Sequence, residues 1–472
     1  MKHLLLTMVA AAALAACTTP GPHPADRLAL DLPATAAPEP VPATWWQQFG
    51  DAQLNALVDE ALADNHDLAR AMARIDESRA ALKLARADQM PTLSATAAST
   101  RERFSQNGLT ALPAGAPPVW VDHRATLDVA YEVDLWGRAM HASAAARDEL
   151  LATEYARDTL RTALAAQVVQ SYAALQSLDA QRRFYGQAVD AQRESLQLQQ
   201  LRYKAGDIGE LDIQQMQAEL IGNEAQLPKL DRARGEAERA LAVLLGRSPK
   251  AVIEQAVARG DKPVAVAGAL PAGLPSDLLL RRPDVLAAEA RLRAAGARVE
   301  AARAAYFPRI ALTGSVGRES TELSSLWDGP SLLWNVVASV TQPIWDGGRI
   351  SAQNSIAKAQ RTEAELDYRD SVANAFREVR DALGAVDETQ RSVASADQRA
   401  QALQRAAELT RKRYDGGEAS RLDVINAERL ALAAEADTAL ERQALAAAQA
   451  DLFRALGGGW QAPADTRVAT NR

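Results

Sequence analysis

Between Val119 and Asp134, apolar residues alternate with polar ones, apart from Trp120, His123 and Ala130. Val119, Val121, Ala125, Leu127, Val129, Tyr131 and Val133 fall on one side, and Asp122, Arg124, Thr126, Asp128, Glu132 and Asp134 on the other. A period of two predicts a strand, here over 119–134. A strand this long with a nearly continuous charged face is unusual in a soluble sheet. It suits a barrel wall with lipid outside and water inside; the competing reading is a surface strand of a soluble sandwich. A second, Thr- and Ser-rich alternation predicts a strand at 92–104, joined to the first through a loop with Asn107-Gly108, Pro113, Gly115, Pro117 and Pro118. Two more strands are expected at 309–319 and 332–344, with Glu322, Trp327, Gly329 and Pro330 between them.

The remaining pattern is helical. Helices are predicted over 58–90, 138–203, 211–246, 283–307, 351–414 and 420–456. Leu160, Leu164, Val168, Tyr172 and Leu175 form an apolar stripe at helical spacing. A helix over 138–203 would reach roughly 100 Å at ~1.5 Å per residue, far beyond an ordinary globular helix. In each half two shorter helices, laid end to end, match one long one. The expected architecture is therefore a rod in which each long helix runs beside a stacked pair, with abundant alanine allowing close approach.

An internal duplication organises these elements. Asp67-Leu68, Arg74, Arg86 and Pro91 recur 217 positions later as Asp284-Val285, Arg291, Arg303 and Pro308. Arg202-Tyr203, Gly206 and Leu211-Asp212-Ile213 recur 211 positions later as Arg413-Tyr414, Gly417 and Leu422-Asp423-Val424. Leu241, Leu245 and Gly246 match Leu452, Leu456 and Gly457 at the same offset. The chain divides into repeats at 58–247 and 283–457, an equatorial insert at 248–282 and a tail at 458–472.

The start of the chain reads as an export signal over 1–16. Lys2 and His3 precede an apolar run too short to span a membrane as a mature helix. Its end, Leu14-Ala15-Ala16-Cys17, resembles a bacterial lipobox, which implies acylation of Cys17 and its position as the first mature residue. The same resemblance implies that Thr18, a non-acidic residue, permits sorting to the outer membrane. Residues 17–57 are expected to be a lipidated, extended tether, because Pro20, Pro22, Pro24, Pro33, Pro38, Pro40 and Pro42 exclude helix or central strand.

Composition narrows the function. The 472 residues are 24% charged with a net charge of −7, which gives no basic face for nucleic acid. One cysteine excludes a disulfide framework, and five scattered histidines (His3, His23, His66, His123 and His141) argue against a metal site. No phosphate loop or nucleophile elbow is present, so neither an enzyme nor a cofactor is expected. Beyond the leader, no apolar run reaches the 18 or so residues of a spanning helix.

Four strands cannot close a barrel, and open sheet edges are not tolerated in lipid. About eight strands make the smallest barrel, which side chains fill. Several copies must share one wall; three would supply twelve strands and twelve helical columns around water.

Three further strings carry a family resemblance: Trp46, Phe49, Gly50, Asp51 and Leu54; residues 131–138, Tyr131-Glu132-Val133-Asp134-Leu135-Trp136-Gly137-Arg138; and residues 274–285, from Leu274-Pro275-Ser276-Asp277 through Arg281-Arg282-Pro283-Asp284-Val285. With them the chain resembles outer-membrane efflux lipoproteins of the TolC/OprM type, in the NodT-like branch. The resemblance implies a homotrimer with a twelve-stranded outer-membrane barrel continuous with a long periplasmic helical tunnel. It also implies docking to a periplasmic adaptor and an inner-membrane pump, commonly of the resistance-nodulation-division class. Drugs and other small toxic molecules would leave passively through the lumen. A channel for a type I protein exporter shares the fold, and a non-channel periplasmic coiled-coil lipoprotein is a weaker alternative that leaves the four strands unexplained.

The repeated turns at 202–213 and 413–424 are the candidate functional tips. Gly206, Gly416 and Gly417 are expected to relieve the backbone where the helices reverse. Asp212 and Asp423 fall in the first turn of each returning helix, where they either complement its dipole or line a constriction. The resemblance implies that Leu422 and Asn426 occupy gate-ring positions, with an amide replacing the family's acid, so that Asp423 would take over part of the charge. It implies too that Arg413 and Tyr414 hold neighbouring coils together. Trp136 and Trp345, at the strand-to-helix boundaries, suit either a membrane interface or a packed corner.

Overall fold

The computed structural model describes residues 42–105, 117–260, 263–265 and 282–458. Cys17, residues 459–472 of the tail and most of the 274–285 string lie outside them.

Four strands form one antiparallel sheet: β1 (Thr92–Arg103), β2 (Val119–Val133), β3 (Arg309–Ser320) and β4 (Leu332–Thr341), in the order β1-β2-β3-β4. The central contact joins the two repeats, with Leu127 opposite Val316 and Tyr131 opposite Leu312. Strand β4 stops at Thr341, short of the expected residue 344, because the Gln342-Pro343 step leaves no amide at Pro343 for the ladder.

Below the sheet run nine helices among the described residues: α1 (Ala52–Asp64), α2 (His66–Ala87), α3 (Arg138–Lys204), α4 (Glu210–Glu224), α5 (Leu227–Leu244), α6 (Pro249–Glu254), α7 (Pro283–Ala304), α8 (Arg349–Asp415) and α9 (Arg421–Ala455). The long helices α3 and α8 each contain 67 residues. Their first amides are satisfied by the same device in both repeats. Asp134 Oδ2 accepts from Met140 N at 2.8 Å, and Asp346 Oδ2 accepts from Ile350 N at 2.8 Å. Those backbone donors hold the Asp346 carboxyl below its ordinary range. Helix α3 packs against α2, α4 and α5 of its own repeat and against α7 and α9 of the other, whereas α8 lies on α7 and α9.

Three expectations need correction. The helix expected over 58–90 is two helices. Asn65 breaks it with extended backbone, its Oδ1 capping Asp67 N and Leu68 N while its Nδ2 donates to Leu244 O at 2.8 Å. The helix expected over 211–246 also breaks, at Ala225-Gln226, where Pro228 at the start of α5 lacks the amide that continuation requires. The extended tether does not reach residue 57. Trp45–Phe49 is a 3₁₀ turn, and Asp51 caps α1 by accepting from Gln53 N and Leu54 N.

That N-terminal segment completes the equatorial core. Trp45 stacks on Phe453 at 5.0 Å, and Trp46 and Phe49 meet Trp45 edge-on. Leu54, Val58, Leu164, Val168, Leu175, Leu241, Leu245 and Leu452 fill the same cluster. Tyr172 donates to Asp51 Oδ2 at 2.8 Å and accepts from Gly260 N at 2.9 Å, tying α3 to the insert. Burial pushes the Tyr172 hydroxyl up to about 12. Arg282, buried before α7, donates to Asp284, Glu378 and the Ala455 carbonyl, locking the second repeat's entry. Ser276 and Asp277 of the 274–285 string fall outside the described residues.

Candidate channel wall and tunnel tips

The sheet register sorts side chains onto two faces. One carries Leu93 and Ala95 of β1, Leu127, Val129, Tyr131 and Val133 of β2, Ile310, Leu312 and Val316 of β3, and Trp334, Val336 and Val340 of β4. Among the described residues no layer covers this face: Trp334, Val336 and Val340 are 72%, 75% and 68% exposed. A contiguous apolar surface of this kind marks a contact with lipid or protein.

The opposite face carries Ser94, Thr96, Asp122, Arg124, Thr126, Asp128, Glu132, Thr313, Ser315, Glu319, Asn335 and Ser339. Its groups bond laterally. Asp128 accepts from Thr96 and Thr126 at 3.2 and 3.0 Å, and Arg124 lies 4.0 Å from Glu319. At its lower end Glu132 holds Arg138 through two bonds of 3.0 Å, joining the strand to α3. Apolar on one side and mainly polar on the other, where among large side chains only Trp120, Leu333 and Val337 interrupt the described polar rows, the sheet has the section of a barrel wall. Strands β1 and β4 each end it with an unpaired edge.

The two boundary tryptophans differ. Trp136 stacks on Phe307 at 4.8 Å and donates to Pro308 O at 2.8 Å, so it packs a corner. Trp345 is 87% exposed beside an equally free Ile344, as an interfacial ring would be.

At the distal end, both turns reverse through a left-handed glycine. Gly206 and Gly417 have φ of 85° and 80°, where an L side chain would be strained. Gly416 differs from expectation: its φ is −80°, an ordinary right-handed value, so the glycine requirement rests on its neighbour alone. Asp423 forms a capping box with Ser420. Its carboxylate accepts from Ser420 N and Oγ at 2.8 and 2.7 Å, which holds it below the ordinary carboxyl range. Its charge is engaged locally in the cap. Asp212 occupies the matching first turn of α4.

Leu422 and Asn426 lie one turn apart on α9 and are both exposed. Arg413 pairs with Glu418 of its own turn, at 3.8 Å. Tyr414 does more, because its hydroxyl accepts from Arg202 Nη1 at 2.9 Å and Gln199 Nε2 at 3.1 Å. Arg421 sits 5.8 Å over the Tyr414 ring and donates to Ser195; burial lowers its pKa. Arg202, Gln199, Ser195 and Arg421 are contacts that pattern reading missed; the signal available was the repeat itself, which pairs Arg202-Tyr203 with Arg413-Tyr414.

Among the described residues no helix is long and apolar enough to cross a membrane, and no group of three or more His, Cys, Asp or Glu side chains could hold a metal ion.

Comparison with known proteins follows the same lines. The sequence profile of outer membrane efflux proteins matches residues 57–247 and 274–458. The chain is 38% identical to the outer membrane protein OprJ of Pseudomonas aeruginosa, over 88% of this chain and 86% of that one. It is 34% identical to the cation efflux system protein CusC of Escherichia coli, over 89% of each. The crystal structure of the Campylobacter jejuni CmeC outer membrane channel superposes with a TM-score of 0.86 at 26% identity, covering 92% of this chain and 91% of that one. The chain belongs to the outer membrane efflux protein family.

Proposed function

We propose that three copies of this chain form a passive outer-membrane exit duct, fed by an inner-membrane pump through a periplasmic adaptor. The observation that carries it is the sheet, whose uncovered apolar face and two open edges suit a shared, closed wall in lipid. The flanks support it. Helix α2 buries only Ile75 and Leu82, and α8 buries only Asn354 and Ala357 before Val372. These are long surfaces suited to neighbouring copies.

The duct performs no chemistry; its cargo is small molecules, in keeping with relatives named for cation, solvent and pyoverdine export. A pump of the resistance-nodulation-division class fits the family, and acylated Cys17 anchors the chain to outer-membrane lipid. The tips at Gly206 and Gly417 set the closed aperture, with Leu422 and Asn426 facing the axis and Asp212 and Asp423 stabilising the returning helices. Arg413 and Tyr414 hold the second turn in place.

Planar-bilayer recording tests the reading. The detergent-extracted protein should run as a heat-sensitive trimer and conduct ions, and Leu422→Ala with Asn426→Ala should raise conductance. A non-conducting monomer would refute the duct. Unchanged conductance in the double variant would remove those two residues from the gate.

A further inference from the structure

The outward face of the sheet is not apolar to its end. Arg101 stands opposite Val121, Arg103 opposite Val119, His123 between Ser99 and Ser320, and Arg318 between Ala125 and Leu332. All four share the face of Leu127 and Trp334, and all lie at the hairpin-loop end, away from the helices. Among the described residues, no strand residue on that face is acidic. The carboxylates Glu102, Asp122, Asp128, Glu132 and Glu319 all point to the other side. The sorting operates residue by residue, with Glu102 facing inward between the outward Arg101 and Arg103.

Arginine on the lipid side of a barrel costs about 2–4 kcal/mol at the midplane and close to nothing at the interface. Placement at the rim therefore explains why these side chains are tolerated, but not why they share one sign. Arg318 is held in place: Nη1 donates to Asp328 O at 2.6 Å, and the guanidinium lies 5.7 Å over Trp327, an exposed ring at the same level. Arg101 and Arg103 are exposed, and neither has an ion-pair partner among the described residues. Guanidinium forks facing the outer leaflet, directly above an apolar band, match an amphiphile with phosphates on its headgroup and several acyl chains.

We propose that this collar docks a phosphate-bearing lipid of the outer leaflet, with Arg101, Arg103 and Arg318 holding its phosphates and the band below packing its chains. The proposal rests on the barrel reading of the sheet. Native mass spectrometry of the detergent-solubilised channel tests it, with bisphosphorylated lipid A and its enzymatically dephosphorylated form as probes at low ionic strength. The wild type should retain the phosphorylated form preferentially. Arg101→Gln/Arg103→Gln should weaken retention by roughly thirtyfold, about fivefold per arginine. Inorganic phosphate at the same concentration should not displace the lipid.

Equal retention of the two lipids by the wild type, unchanged retention in the variant, or displacement by inorganic phosphate would each overturn the collar. The comparison of lipids on the wild type needs no variant to fold. Conductance measured on the same preparation separates the two readings. A conducting channel without lipid discrimination loses the collar alone, whereas loss of conductance in the wild type removes the barrel as well.

Discussion

The equatorial core and the four-stranded sheet are built from the same chain to opposite specifications. At the equator, residues from the N-terminal segment, both repeats and the insert close around Trp45, Tyr172 and Phe453, which are fully buried within one copy. In the sheet every residue of β1 is exposed, and Trp334, Val336 and Val340 of β4 face outward and are exposed. The first region is complete in a single protomer; the second is complete only when neighbours supply its edges and a bilayer supplies its outer layer. The difference separates what folding must achieve from what assembly must achieve.

Substitutions should therefore act differently in the two regions. The largest effect is expected from Trp45→Ala, which opens a cavity against Phe453 and should cost about 3–5 kcal/mol. Thermal melting of the helical circular dichroism signal should show it even before assembly. Next is Val336→Arg on the outward face, expected to cost about 2–4 kcal/mol per copy on insertion. Membrane fractionation should show its loss from the outer membrane, with the equatorial fold intact. Asn335→Arg, one residue away on the inner face, should insert normally; equal defects in the two would dissolve the distinction between the faces.

Much of this was legible in the sequence. The alternation over 119–133 identifies β2 because lipid and water impose opposite demands on adjacent residues. The repeat places the helices because each half must lay a stacked pair against a long rod. Less legible was Asn65, whose capping role depends on a carbonyl 179 residues away. Trp45, Trp46 and Phe49 directly follow a proline-rich run that hides their place in the core, although Asp51 ahead of an apolar helix is an available start signal. At the tips, only the family resemblance, not local pattern, singles out Leu422 and Asn426. The bond from Arg202 to Tyr414 spans 212 positions, and no local pattern encodes it.

Smaller effects sharpen the contrast at the tips, which are held by few contacts. Tyr414→Phe removes the acceptor for Arg202 and Gln199 and should loosen the turn by about 1 kcal/mol. It should raise channel conductance while leaving the melting temperature of the equatorial core unchanged. The smallest effect concerns pH. The Asp423 carboxyl sits below its unfolded value, so the capping box contributes above the ordinary carboxyl range and is lost as pH falls through the folded value. Hydrogen-exchange protection factors of residues 418–424, corrected for the intrinsic exchange rate, should fall at acid pH, and Asp423→Asn should abolish that pH dependence.

The central claim is that β1 of one copy completes the sheet beside β4 of the next. The chain's single cysteine, Cys17, lies well before the strands, so paired cysteines can be introduced cleanly. Thr96→Cys should be combined in turn with Asn335→Cys, Val337→Cys and Ser339→Cys, all on the inner face, and oxidised in isolated outer membranes. Because β1 and β4 are opposite edges of one sheet, a bond between them within a copy would need a span far beyond the 7 Å that a disulfide allows between Cα atoms. The account predicts covalent dimers and trimers, with nothing larger, for at least one pair. Oxidation that produces only an intramolecular bond, or a ladder that continues beyond three, would contradict it.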